Sequence, residues 1–102
     1  MGAIKAIVER VKTDGISQSH AVIFRGDDPN GDVVRFNNGD VCDKVLQVGE
    51  TYTLVLYCTG ALNATTTITV TRAVGETELM APLLAKINSV GTAGHGQRTF
   101  TV

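Results

Sequence analysis

Thr51-Tyr52-Thr53-Leu54-Val55-Leu56-Tyr57-Cys58 is the run on which the reading of this chain turns. Tyr52, Leu54, Leu56 and Cys58 recur at every second position, and Thr51, Thr53, Val55 and Tyr57 fill the places between them. A period of two, carried by aromatic and β-branched residues, is the pattern of a strand with one face on a core. Gly49-Glu50 precedes the run and Thr59-Gly60 follows it, so turn chemistry bounds the strand at both ends.

Downstream, Thr65 to Arg72 alternates in the same way, with Ile68 and Val70 inward and Thr65, Thr67, Thr69 and Thr71 forming an outer threonine row. Upstream, His20 to Arg25 and Asp32 to Phe36 flank the turn-rich Gly26-Asp27-Asp28-Pro29-Asn30-Gly31 and predict a hairpin. Pairing Phe24 with Val34 and Val22 with Phe36 collects the larger apolar residues, with His20, on the core face. Ile23, Arg25, Val33, Arg35 and Asn37 then share the outer face. Asn38-Gly39-Asp40 makes a turn, and Asp43 to Val48 fits one short helical turn.

The two ends of the chain read differently. In residues 3–13, Ile4, Ile7, Val8 and Val11 have helical spacing, yet all four are β-branched. A strand with a bulge at Ile7-Val8 is favoured over a helix there. Leu79, Met80, Leu83, Leu84, Ile87 and Val90 predict a helix with Pro82 in its first turn, ending before Gly91. A glycine-rich loop through Gly94-His95-Gly96 then leads to a terminal strand, Gln97–Val102, with Arg98, Phe100 and Val102 on one face.

The 102 residues, 43% of them hydrophobic, make a single domain with enough apolar material for a core. A net charge of −1 excludes a bulk polycation for duplex DNA and an acidic tail protein. No apolar run approaches the ~20 residues of a membrane span, and no signal peptide is legible, so a cytoplasmic location is expected. Cys42 and Cys58, sixteen positions apart, fit neither a redox pair nor a zinc site, and read as reduced buried thiols with a disulfide as the alternative. The Asp27-Asp28 pair is turn chemistry. No nucleophile–base arrangement is visible, and no enzyme activity, metal or cofactor is expected.

From Ile4 to Ala73 the order is strand, hairpin, short turn, strand, strand. With the runs Val8-Glu9-Arg10-Val11, His20 to Phe24, Asp32 to Phe36 and Leu46-Gln47-Val48-Gly49-Glu50-Thr51-Tyr52, it resembles the oligonucleotide/oligosaccharide-binding (OB) fold. Small single-stranded-DNA-binding modules of that fold are similar in the leucine-x-x-glycine-glutamate turn before the fourth strand. The resemblance implies a mainly β protein: a five-stranded OB-like β-barrel over residues 3–73, completed by the C-terminal helix and strand over 77–102. It implies single-stranded nucleic acid as partner, bound without strong sequence specificity through strands two and three. The matched positions are Arg25 and Arg35 for phosphates and Asn37 nearby, with Arg10 or Lys12 from the first strand. Tyr57 is the one outward aromatic placed to stack a base.

A second reading comes from the residues themselves. Exposed Val, Ile and Thr faces, near-zero charge and a terminal strand suit a structural subunit of a larger assembly, such as a phage virion protein. In that reading Arg98, Phe100 and Val102 lie at an oligomer interface, and the terminal strand pairs with another copy in preference to its own sheet.

Overall fold

The computed structural model describes residues 2–26, 28, 30–34, 36, 40–72, 78–88 and 93–102. Eight strands follow one another: β1 (Ala3–Lys12), β2 (Ile16–Arg25), β3 (Asp32–Val34), β4 (Val41–Gln47), β5 (Thr51–Gly60), β6 (Thr65–Arg72), β7 (Glu78–Lys86) and β8 (Gly94–Thr101). They form two four-stranded antiparallel sheets, sheet A in the order β4-β1-β6-β7 and sheet B in the order β3-β2-β5-β8. The mainly β class is as expected. The closed barrel is not: the strands are shared between two separate sheets that face each other across one core.

Alternation builds that core. Ala6 and Val8 of β1, Leu54, Leu56 and Cys58 of β5, and Ile68 and Val70 of β6 are all buried. Leu46, Met80, Leu83, Ile87 and Phe100 complete it from the edge strands and the residues after β7. β5 and β6 present the faces that their sequence patterns assign them, including the outward threonine row. β1 is a continuous strand, and needs no bulge at Ile7-Val8. Ile7 occupies the outer face opposite Asp43 and Thr71, while Ala6 and Val8 stay inward.

The expected helix, from about Ala81 or Pro82 to before Gly91, is not formed: Glu78–Lys86 is strand β7. Its register on β6 passes from Ile68↔Leu83 to Val70↔Met80, so Ala81 and Pro82 together oppose the single residue Thr69. That bulge accommodates proline on an edge strand, and it brings Met80 and Leu83 to the same face although they are three apart. Spacing of three mimicked a helix. Asp43 to Val48 likewise belongs to β4 and its exit, with Leu46 inward and Val45 outward, in place of a helical turn. Residues 77–102 are therefore no appendage to a barrel over 3–73. β7 and β8 are the edge strands of sheets A and B.

The β2–β3 hairpin exists with a different register and the opposite face inward on β2. Ala21 pairs with Val34 and Ile23 with Asp32. Ser19, Ala21 and Ile23 are buried, whereas Val22 and Phe24 are half-buried on the outside and His20 is exposed. Leu54 and Leu56 of β5 stand beside Ile23 and Ala21 in the ladder, so modest β2 side chains suffice inside. Val22 and Phe24 find cover elsewhere: the loop before β3 brings Gly31 so close to both that a Cβ would collide with them.

Gly94-His95-Gly96 is part of β8, not a loop, and β8 pairs with β5 of its own chain. A Cβ on Gly94 or Gly96 would press on the carbonyls of Lys86 and Leu84, so the glycines let β8 lie close against β7. Among the described residues there is no helix, and so none long and apolar enough to cross a membrane.

Candidate functional site

The residues expected to bind nucleic acid fall in separate places. Arg10 continues the inward face of β1 and reaches across to sheet B. Its Nε donates to Asp40 Oδ1 at 2.9 Å, its Nη2 lies 2.8 Å from the same oxygen, and its Nη1 donates to Ser19 Oγ at 3.0 Å. The guanidinium also sits 4.2 Å above the centre of the Phe36 ring. It is a brace between the sheets. Lys12 is exposed at the end of β1.

Arg25 lies beside Tyr52 in the β2–β5 ladder, on the inward side of the hairpin. It borders a groove of about 210 Å³ whose other polar walls include Asp28, Asn30, Asp32 and Lys44. Both signs of charge meet there. Lys44 Nζ donates to Asp32 Oδ2 at 2.7 Å and to the Val33 carbonyl at 2.9 Å, tying β4 to β3 across the open side of the sandwich. The Tyr52 hydroxyl at the back of the groove accepts from the Gln47 amide at 2.8 Å. Arg35 and Asn37 lie outside the described residues.

Tyr57 is on the other side of sheet B, half-exposed on the outer face of β5. The ladders set His20 and His95 on either side of it, and the His95 ring is 6.4 Å away, tilted. Val22, Val33 and Val55 form the next row. Arg25, Arg10 and Tyr57 thus share no surface, because inversion of the β2 face took Arg25 inward while Tyr57 stayed outward.

The terminal residues serve the chain's own fold. Phe100 is buried, its ring stacked on Tyr52 with centroids 5.9 Å apart. Val102 exchanges backbone hydrogen bonds with Gly49 and Glu50, and Arg98 Nη2 donates to the Pro82 carbonyl at 3.4 Å. Both thiols are free, with Cys58 buried and Cys42 half-buried. Among the described residues no three His, Cys, Asp or Glu side chains gather into a metal-binding group.

The outer face of sheet A carries four of the exposed large hydrophobic side chains among the described residues, with Val33 and Tyr57 on sheet B and Leu62 after β5 as the others. Val11 is 64% exposed, Leu84 54% and Val45 69%, with Val41 lower at 40%. The register lines up Val11, Thr67 and Leu84 in one row across β1, β6 and β7, and Val41, Glu9 and Thr69 in the next. Ile7 and Thr71 lie beyond, beside the Lys5–Asp43 ion pair at 3.2 Å. The sequence pattern assigns the threonine row of β6 to an outer face, but not Val11, whose spacing from Ile4, Ile7 and Val8 is helical, nor Leu84, which falls within the expected helix. Compared with protein families, curated proteins and solved structures, the chain matches none.

Proposed function

We propose that this chain is a non-enzymatic structural subunit that associates with further copies of itself through the outer face of sheet A. The observation that carries this reading is the continuous Val/Thr/Leu surface around Val11, Thr67 and Leu84, open to solvent in the isolated chain. In the row Val11, Thr67 and Leu84 a half-buried threonine desolvates cheaply, and the exposed valine and leucine gain from burial at about 25 cal/mol per Å², while Glu9 and the Lys5–Asp43 pair mark the charged part of the same face. The charge of −1 adds little repulsion between copies.

Light scattering on the purified chain, beside the double variant Val11→Asp/Leu84→Asp, tests the proposal. The wild type is expected to form oligomers that the variant loses while keeping its far-UV circular dichroism. A wild-type chain that stays monomeric at high micromolar concentration overturns the reading. So does salt-dependent binding of a labelled single strand of ~30 nucleotides that weakens in Arg25→Ala with a salt slope reduced by about one, which restores the nucleic-acid alternative.

A further inference from the structure

We propose that the chain is an internal duplication of one four-strand unit, and that the interface between its halves accepts the complementary half of a second copy. Matching β1 with β5, β2 with β6, β3 with β7 and β4 with β8 turns the order β4-β1-β6-β7 into β8-β5-β2-β3. That is sheet B read from its other edge. The two halves are therefore related by a two-fold operation that exchanges the sheets.

Details follow the same operation. Leu46 pairs with Ile4 in the first half, and Phe100 with Tyr52 in the second, both edge residues being buried. Two residues before each stands a basic side chain, Lys44 and Arg98. Each donates to a backbone carbonyl of the edge strand facing it, Lys44 to Val33 and Arg98 to Pro82. The termini obey the symmetry as well. The amide of Val48 donates to the Gly2 carbonyl at 2.9 Å, that of Gly49 to Val102 at 2.7 Å, and that of Val102 to Glu50 at 3.0 Å. The bond from Val48 to Gly2 in the first half thus corresponds to that from Val102 to Glu50 in the second.

The connectivity says what each half lacks. Within a half, β1·β4 and β2·β3, or β5·β8 and β6·β7, are two-stranded ribbons in different sheets with no ladder between them. The central ladders β1·β6 and β2·β5 each join one half to the other. A lone two-stranded ribbon is marginal in water, so either half without its complement leaves an open core and two unpaired central edges. The Val48–Glu50 turn, with Gly49 at φ +89°, is the one covalent link between halves. When it opens, the surface that fits each half is the other half, in the same chain or in a second copy, which is the geometry of domain exchange. This inference stands on topology and is independent of the outer face of sheet A.

Full-length chains crippled in opposite halves provide the test. Val8→Asp places a charge in the core of the first half and Leu56→Asp in that of the second, both at fully buried positions, and each variant alone is expected to lose its cooperative thermal transition. Co-refolded as an equimolar pair, the intact first half of one chain meets the intact second half of the other. A cooperative transition should return with about half the wild-type amplitude per chain, in a species of dimer mass. The control pair, Ala6→Asp with Val8→Asp, carries both lesions in the first half and should recover nothing. A cross-half pair that melts no differently from this control overturns the proposal.

Discussion

Replacing Arg10 by alanine separates a structural role from a ligand-binding one. The side chain is only 13% exposed, and its guanidinium holds Asp40, Ser19 and the Phe36 ring at once. Hydrogen bonds to a charged group contribute about 1.5–3 kcal/mol net, and a cation over an aromatic face about 0.5–1 kcal/mol. Asp40 is 47% exposed, so water weakens its share. These contributions overlap, and the expected loss is about 2–3 kcal/mol, which lowers Tm by about 8–24 °C for a domain of this size. Urea denaturation followed by circular dichroism gives the free energy directly, with Arg10→Lys as companion. Lysine keeps the charge but lacks the planar fork, and should recover less than half of the loss. A double-mutant cycle with Asp40→Ala should return a coupling of about 1 kcal/mol or more. An Arg10→Ala chain within about 0.5 kcal/mol of wild type refutes the brace.

Thr66 is fully buried, and its hydroxyl has no hydrogen-bond partner among the described residues. Thr66→Val removes that unsatisfied group without changing shape, and should raise stability by about 1 kcal/mol in the same denaturation assay. Deleting Pro82 closes the bulge on β7 and leaves Met80 and Leu83 two residues apart and both inward, so the cooperative transition should persist, whereas inserting one alanine after Leu83 turns Ala85 and Ile87 outward and should abolish it. Thiol titration should find two reactive groups after denaturation. In the native chain Cys42 should react well ahead of buried Cys58, and reductant should leave Tm unchanged.

The strands that read correctly from sequence are those whose alternation is unbroken. β5 and β6 each keep a period of two over their whole length, and nothing else competes for their large side chains. On β2 the size of the side chains is no guide to the core. Ala21 and Ile23 are the smaller set, yet they face inward where Leu56 and Leu54 already fill the space, and Gly31 shelters Val22 and Phe24 outside. β7 misled because the bulge at Ala81-Pro82 shifts the phase, giving Met80 and Leu83 a helical interval on a strand. The candidate site inherited the error in β2. With that strand's faces exchanged, Arg25 left the surface that Tyr57 occupies. Arg10 was legible as a charge but not as a brace, since Asp40 and Ser19 come to it only through tertiary pairing.

The ladder between β1 and β6 ties Ala6 to Arg72 and Lys12 to Thr66, the most remote pairs in the sandwich. Contacts this distant in sequence make folding slow, on the order of milliseconds to seconds, because a long loop must close before they form. On a ribosome adding about 5–20 residues per second, β1 emerges roughly 3–13 s before the strand that will complete its sheet. During that interval it can pair only with β4, and its other edge stays open to any passing strand. Lys5, Glu9, Arg10 and Lys12 interrupt its apolar residues throughout that exposed length. Charges spaced along an unpaired strand deter aggregation. They protect the nascent chain until Arg72 arrives.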